Sequence, residues 1–568
     1  MSDVLLAGAP EKKRESFLSG FDKFVQLAFR IFAKPASFVS KSQPQLRDQI
    51  LKSNLRTTPE GLSAIAIFCT TFVGIGVLIL TYVGVVIGGI IYFAFLPIAI
   101  PIVFIVIMSL PRFSSATRAA SIDTEMPFVL GYMSVLAGGG VSPIAAMRRI
   151  ADMKILPASS KEAKRILVET DIFGSDPISA MEKAAKDNPS KNFSEFLFGY
   201  TSVLKTGGDF VAYIQTKLRD LIENKAAAVK RSSDSTGTIA EAYLTVTVIL
   251  GMTLYTLYMI QTILAGNSGG LVNLYLFAFL IVPLLSATFI WMIDAIQPKW
   301  PYTDYRPYKV FGYSIPVALL IFILPIPLPL YLHVALTLSA VSIAPGVYSI
   351  RLSRERRGLE KALPDFIRDV TEGRKTGLSP EQAIERLSSR HYGILSQHVT
   401  RMASQLSWGV SLSKVVSTFT AKVNSWLTRA IGVLLVEVVD VGGGTIKSFT
   451  EMASFTRTIN DLENDRRAAL RPFVYITYVA GIMVIITTFI MVYFLGQPAA
   501  FGFGGATIDS STIDDLLTTA VFDSFIIGLV AGKMGESNLS DGFKHGLALV
   551  VISVIAVQIA KLFIKIPV

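Results

Sequence analysis

The 568-residue chain is rich in apolar side chains and poor in charge, since hydrophobic residues make up 51% and charged residues 17%. Soluble chains carry about 25% charged residues, so much of this chain must face lipid. This composition excludes wholly soluble enzymes, disordered proteins and secreted disulfide scaffolds. The single cysteine, Cys69, lies in an apolar run and leaves the redox compartment open. The net charge of +11 matters through its location along the chain.

The N-terminal segment 1–61 is basic and polar, and it shows no pattern of a cleavable signal peptide. Apolar residues between Phe17 and Phe32 alternate with charged ones, which predicts an amphipathic helix. Two placements of this helix remain open. It lies on the inner leaflet or against a cytoplasmic partner, or it packs on the first soluble domain.

Nine apolar runs predict membrane spans. No charged residue occurs from Leu62 up to Pro111, and this run is far longer than one crossing of a bilayer about 30 Å thick, so it predicts two helices. The two runs around Pro325, Pro327 and Pro329 can also be one broken helix, so eight to ten spans are expected. The predicted spans are 62–84, 88–110, 239–262, 271–294, 311–327, 329–350, 473–496, 517–532 and 543–565.

The cations predict the orientation of these spans. With the N-terminus inside, the inner segments hold 51 of the 53 Lys and Arg residues, and the outer loops hold none. The other two, Lys561 and Lys565, end the last span. The positive-inside rule therefore places the N-terminus and both long polar segments in the cytoplasm. An odd number of spans then leaves the C-terminus outside the cell membrane.

Two polar segments, called here the first domain (111–238) and the second domain (351–472), are each predicted to be a small helical bundle. They repeat each other, and the offset between equivalent positions shortens by two along the domain, as one short deletion would produce. In both, a helix ends at glycine and a Ser-Pro pair begins the next. The equivalent pairs are Pro127/Pro364, Gly140/Gly377, Ser142/Ser379, Pro143/Pro380, Arg149/Arg386, Gly174/Gly409, Gly207-Gly208/Gly442-Gly443, Arg231/Arg466 and Tyr243/Tyr478.

The predicted fold class is therefore an all-α polytopic membrane protein with about nine transmembrane helices and two homologous cytoplasmic helical-bundle domains, produced by tandem duplication. The glycines of the repeat are predicted to form tight turns between packed helices, with a hinge as the alternative. These glycines are Gly140, Gly207, Gly208, Gly377, Gly442 and Gly443. The predicted segments are 1–61, 62–110, 111–238, 239–294, 311–350, 351–472 and 473–568.

The repeated motifs resemble the type II secretion F domain family, the membrane platforms of type IV pilus-like machines. The resemblance spans about residues 60–500, and the nine-span layout is similar to the archaeal branch. It is carried by Glu125-Met-Pro-Phe-Val-Leu-Gly-Tyr-Met-Ser-Val-Leu-Ala-Gly-Gly-Gly-Val-Ser-Pro143, by Leu363-Pro-Asp-Phe-Ile-Arg-Asp369 with Thr376-Gly-Leu-Ser-Pro380, and by the Gly-Gly turns at 207–208 and 442–444.

The resemblance implies a platform without enzymatic activity. Such a platform lies under an archaellum or an adhesive pilus, which the sequence does not separate. The implied partners are a hexameric secretion ATPase, the filament subunits (pilin or archaellin), a second copy of the chain and the bilayer. The ATPase contact is predicted at cations of equivalent helix positions, where a structural role at helix C-termini is the alternative. These cations are Arg374, Lys375, Arg386 and Arg390 of the second domain and Arg148 and Arg149 of the first.

Other chemistry is not predicted. No Gly-x4-Gly-Lys-Ser/Thr phosphate loop occurs, and the nearest approximations, 442–448 and 528–533, fail in spacing. The four histidines form no metal pattern and no aromatic-interleaved basic patch suggests nucleic acid, so no catalytic, cofactor or metal residues are predicted. A duplicated secondary transporter is the alternative hypothesis. Asp523 is the one carboxylate candidate within a predicted span, which favours the platform.

Overall fold

The structure is a computed structural model that describes residues 11–55, 57–83, 97–251, 253–254, 256–258, 261, 269–297, 304–442, 445–495 and 510–563. Every regular element in these ranges is a helix. The chain divides into two compact units. The first comprises Met1–Ala137 with Val141–Leu218, and the second comprises Gly138–Gly140 with Arg219–Val568.

The first unit consists of eight helices and the start of a ninth. Prolines at the first helical position begin four of them, where a missing N–H costs no hydrogen bond. The helices are α1 Glu11–Ser42, α2 Gln45–Ser53, α3 Pro59–Tyr82, α4 Ala99–Gly138, α5 Pro143–Asp152, α6 Pro157–Asp171, α7 Pro177–Asp187, α8 Lys191–Thr206 and α9 Phe210–Thr245.

The second unit contains the rest of α9 and the remaining helices. Two π-helical turns, Val246–Leu250 and Phe277–Ile281, interrupt its apolar helices. Three short 3₁₀ helices are Leu387–Ser389, Gly393–Leu395 and Leu539–Asp541. The α-helices are α10 Gly269–Leu276, α11 Val282–Ile296, α12 Arg306–Ile323, α13 Leu330–Lys375, α14 Pro380–Arg386, α15 Ser396–Ser407, α16 Leu412–Lys422, α17 Trp426–Gly442, α18 Ile446–Leu495, α19 Ser510–Glu536 and α20 Gly542–Phe563.

Seven helical stretches within the described ranges are long and apolar enough to cross a membrane. Of the nine predicted spans, 88–110 and 239–262 lie partly outside the residues that the structure describes. The predicted span 311–327 corresponds to α12, which begins with Arg306 and Lys309 and has a shorter apolar part. The count of nine therefore stays a prediction. The seven stretches are Pro59–Tyr82, Ala99–Gly138, Val272–Ile296, Leu330–Lys375, Ile446–Ile490, Ser511–Glu536 and Leu539–Ile559.

The proline-rich segment between α12 and α13 separates two helices. The Ser314 hydroxyl donates to the Val341 carbonyl at 2.9 Å, and a ring nitrogen of His333 lies 2.9 Å from the Ile321 carbonyl. These pairs run in opposite directions along the chain, so α12 and α13 form an antiparallel hairpin. The chain therefore forms two separate helices here and not one broken helix.

Long helices cross the predicted borders between domains and spans without a break. The predicted border at 110–111 lies inside α4, the border at 350–351 inside α13 and the border at 472–473 inside α18. Pro111, Pro345 and Pro472 are accommodated within these helices. Each of these helices is therefore shared between a domain and an apolar span.

The N-terminal helix α1 packs on the first apolar helix, α3. Ala28 and Ala36 are buried against Ala64 and Ile65, where small side chains allow close approach of the helices. The exposed apolar residues of α1 and α2 include Leu27, Ile31, Phe38 and Leu51. Helix α1 therefore packs on a surface that neither predicted placement included, the start of a membrane helix.

Helix α19 lies at the centre of the apolar helices of the second unit. The most apolar part of α19 is 78% buried, whereas that of the other six candidate spans is between 11% and 39% buried. A Cβ atom on Gly528 would collide with the backbone of Gly546, and one on Gly532 with that of Gly542. The run 528–533, which approximates a phosphate loop in sequence, is therefore a small-residue helix crossing between α19 and α20.

Candidate partner-binding surface

Both domains use the same serine cap to fix a turn beside the long entry helix. The Ser190 hydroxyl donates to Asp123 at 2.6 Å, and the Ser425 hydroxyl donates to Glu360 at 2.8 Å. Each serine oxygen also accepts a free N–H in the first turn of the following helix, from Phe193 of α8 or Thr428 of α17. These residues are equivalent in the repeat, so the duplication extends to hydrogen bonds that the motifs did not include.

Three of the five predicted turn glycines that the structure describes have the left-handed backbone of a tight turn. Gly140, Gly207 and Gly377 have φ values of +82°, +68° and +90°. Gly208 follows in the same turn and Gly442 is the last residue of α17. Gly443 lies outside the described residues.

The predicted cations of the second domain lie at one corner, and most of them have partners there. Arg390 pairs with the buried carboxylate of Asp369 at 2.9 Å, and Lys375 pairs with Glu372 at 2.8 Å. Arg374 donates to the Leu378 carbonyl at 2.7 Å, just past the end of its own helix. This geometry matches the structural alternative for Arg374.

Carboxylates neutralise this corner. Residues 365–390 contain five Lys or Arg and five Asp or Glu residues. Asp369 also accepts a hydrogen bond from the Tyr392 hydroxyl at 2.6 Å, and burial together with this bond raises the pKa of Tyr392. Arg386 is exposed and makes no ion pair within the described residues. Of the four predicted cations, Arg386 is therefore the one most available to a partner.

The two predicted cations of the first domain differ in exposure. Arg148 pairs with Asp171 at 2.8 Å, and both side chains are exposed. Arg149 is half-buried. An exposed pair of this kind contributes about 0–1 kcal/mol, so it holds Arg148 only weakly.

Half of the charge excess of the second domain, +3 of +6, lies on α15 and α16, called here the second hairpin (396–422). This segment contains Arg401, Lys414 and Lys422 and no Asp or Glu. All three cations are exposed, and they make no ion pair in the part of the chain that the structure describes. The net charge of the whole domain does not reveal this segment, whereas the net charge of each pair of helices does.

The equivalent pair α6 and α7, the first hairpin (157–187), is neutralised within its own unit. It contains five Lys or Arg and six Asp or Glu residues. Its ion pairs include Lys183 with Glu169 at 2.8 Å and Lys205 of α8 with Glu182 at 2.6 Å. The two hairpins thus share a fold and differ in net charge by four units, from −1 to +3.

Each hairpin presents large apolar side chains at its turn. Trp408 is 86% exposed, and the equivalent position holds Phe173, 69% exposed, next to the exposed Ile172. A left-handed glycine follows in each turn, with φ +67° at Gly174 and +78° at Gly409. The two glycines are equivalent positions of the sequence repeat. The exposed aromatic residue that precedes each of them was not predicted from the sequence.

A buried cluster of ions, the ionic cluster, underlies the second domain. Glu463 pairs with Arg466 at 2.8 Å and with Arg467 at 2.9 Å, and Arg467 pairs with Glu360 at 2.6 Å. Arg466 also donates to the hydroxyl of Ser537 at 2.8 Å, in the turn between α19 and α20. The cluster therefore ties the second domain to that turn.

Further polar contacts fasten the same turn to α13. Ser349 and Ser353 both donate to the buried carboxylate of Asp541, and Arg357 pairs with Glu536 at 3.0 Å. Since α13 also forms the first helix of the second domain, a tilt of this domain must move the ends of α19 and α20 or break these contacts.

The residues that bear on enzymes and transporters lie apart from these surfaces. Asp523 is buried in α19. Among the described residues, no group of three or more His, Cys, Asp or Glu side chains is placed to hold a metal ion.

Comparison with known proteins identifies the domains. Residues 129–258 and 366–493 each match the sequence model of the type II secretion system (T2SS), protein F. The spacing between the two starts, 129 and 366, and the slightly shorter spacing between the two ends, 258 and 493, reproduce the two offsets of the repeat. The duplication is therefore confirmed.

Two relatives come from the archaeon Methanocaldococcus jannaschii. An uncharacterized protein is 21% identical over 491 residues, which cover 78% of this chain and 80% of the relative. Flagella accessory protein J is 21% identical over 346 residues, covering 57% of this chain and 60% of the relative. No solved structure matches the chain. The chain is thus an all-α, multi-pass membrane protein that carries two copies of the type II secretion system protein F domain.

Proposed function

We propose that the chain is the membrane platform on which an archaeal type IV pilus-like filament, an archaellum or an adhesive pilus, is assembled. The observation that carries this proposal is the pair of F domains, each continuous with membrane helices through α4, α13 and α18. The similarity to flagella accessory protein J supports it. The chain itself does no chemistry in this proposal.

In this function a hexameric secretion ATPase binds the two domains on the cytoplasmic side. Movement of the domains passes along the continuous helices, and through the contacts of Asp541 and Glu536, to the membrane helices that meet the filament subunits. The cations Lys375, Arg386 and Arg148 belong to the proposed contact. A homodimer under the filament axis would present this surface twice.

The function is tested by deleting the gene. The platform proposal expects that filaments are lost while processed filament subunits accumulate in the membrane, and that the intact gene restores filaments. Filaments that persist together with a defect in solute uptake would favour the transporter.

We further propose that the N-terminus and both domains lie in the cytoplasm and the C-terminus outside, as the distribution of Lys and Arg predicts. The test replaces Cys69 and places single cysteines at exposed serines, Ser202 and Ser454 in the domains and Ser511 at the start of α19. An impermeant thiol reagent should label intact cells at Ser511→Cys alone. Labelling at either domain position refutes this orientation.

A further inference from the structure

Trp408 and the equivalent pair Ile172 and Phe173, called here the two tips, have no structural reason to be exposed. The buried faces of their hairpins are filled by other side chains, such as Val399, Met402 and Leu406 in the second hairpin. Single exposed apolar residues are common in proteins. A large, apolar, exposed side chain at the same position of both copies is unexpected on a surface that binds nothing.

The turn that carries each tip is rigid. The N–H of Val410 donates to the Gln405 carbonyl at 3.1 Å, and the N–H of Ser175 donates to the Glu169 carbonyl at 3.0 Å. These bonds close the ends of α15 and α6 around the left-handed glycines. An aromatic residue on a fixed turn loses little conformational entropy on binding, which suits an anchor residue.

The tip of the second hairpin lies far from the membrane helices. The turn after α16 is held near them, because Asn424 donates to Glu355 at 3.2 Å and accepts from Arg306, the first residue of α12. Helix α16 has 11 residues, so its other end, next to Trp408, lies about 15 Å away. Along α13, Glu360 contacts Ser425 near the membrane helices, and Thr371 contacts Phe449 at the end of α13 away from them. A lipid surface is therefore an unsuitable occupant for this tip.

Charge defines the partner more closely. The second hairpin, which carries Trp408, also carries Arg401 and Lys414, both exposed, and it contains no carboxylate. A matching surface has an apolar pocket with acidic side chains at its edge. Because the same anchor occurs in both copies, the partner presents an equivalent pocket more than once, as a homo-oligomer does.

We propose that the two tips are the anchors through which the domains dock on a soluble homo-oligomeric protein, with Trp408 entering an apolar pocket edged by carboxylates. This proposal rests on the proposed function, in which that protein is the hexameric secretion ATPase. The second tip binds more strongly, because its hairpin adds +3 of unneutralised charge, whereas the first hairpin has a net charge of −1.

The experiment measures binding of the purified ATPase to the full-length chain in detergent, across a salt series. Trp408→Ala should weaken binding about thirtyfold, as expected for an aromatic hot spot. Phe173→Ala should weaken it about tenfold or less. The matched control is Tyr305→Ala, since Tyr305 is also an exposed aromatic residue, 68% exposed, but lies directly before α12 and outside both hairpins. This control should bind as the unaltered chain does.

The outcomes separate the two proposals. If the unaltered chain does not bind the ATPase, the proposed coupling function fails and the anchors fail with it. If the unaltered chain binds and both Trp408→Ala and Phe173→Ala bind equally well, the inference alone is overturned. A change of Trp408→Ala from dimer to monomer, with ATPase binding intact, would overturn it too, because the tip would then be a contact between two copies of the chain.

Discussion

The two F domains are copies that keep the same turns and diverge in the charges around them. Both hold a serine cap on an acidic residue, at Asp123 and at Glu360. In the second domain that acidic residue also pairs with Arg467, whereas the position equivalent to Arg467 in the first domain is Ser232. Similarly, Glu463 of the ionic cluster corresponds to an alanine.

Contacts that occur in both copies support the common fold, whereas contacts that occur only in the second domain serve another purpose. The shared caps and glycine turns satisfy backbone groups, so either copy needs them to fold. Among the described residues, the ionic cluster and the cationic hairpin belong to the second domain. The cluster reaches the α19–α20 turn through Arg466 and Ser537, and the hairpin faces solvent. The second domain therefore has both a fastening to membrane helices and a charged surface for a partner.

The largest effect is expected from removing Glu360, because its ion pair with Arg467 has no counterpart at the serine cap of the first domain. Glu360→Ala leaves Arg467 with Glu463 alone and removes the acceptor of Ser425. We expect a loss of about 3 kcal/mol, as for other buried pairs that lose one partner. The equivalent change Asp123→Ala removes a hydrogen bond to Ser190 and should cost about 1 kcal/mol. Thermal unfolding of the full chain in one detergent measures both.

A double substitution sharpens that result. If the cost of Glu360→Ala comes from the unpaired Arg467, then Glu360→Leu with Arg467→Leu should recover part of the lost stability. Glu355→Ala is the control, because Glu355 contacts Asn424 from the same helix and lies outside the ionic cluster. Equal losses for Asp123→Ala and Glu360→Ala would show that the cluster adds nothing to the shared cap.

A smaller effect is expected from reversing exposed charge. Arg401→Glu with Lys414→Glu should weaken ATPase binding about tenfold at low salt and less at high salt, because exposed pairs contribute about 0–1 kcal/mol each and are screened. Lys375→Glu with Arg386→Glu should do less, since the surrounding corner is already neutral. A greater loss from the second pair would restore the corner predicted from sequence as the main contact.

The sequence predicted the elements that depend on local rules. The repeat could be found because glycine after a helix and Ser-Pro before the next have fixed backbone roles, as at Gly377 and Ser379. The corner at Arg390 was harder, because its pairing with Asp369 depends on which helix faces meet. Trp408 was missed, since one apolar residue between polar ones does not reveal whether it is buried.

The smallest effect concerns pH and again distinguishes the copies, because His398 of α15 corresponds to the buried Ala163 of α6. Burial of His398, and then the nearby Arg401, lower its pKa. The unfolded chain therefore takes up this proton at higher pH than the folded chain does, so stability falls as pH drops below about 6.5. The ring is half-buried, and solvent screening keeps this loss small. His398→Ala, which copies the first domain, should remove that part of the decline between pH 7 and pH 5 in thermal unfolding. An unchanged decline would assign it to other groups, such as the carboxylates of the ionic cluster.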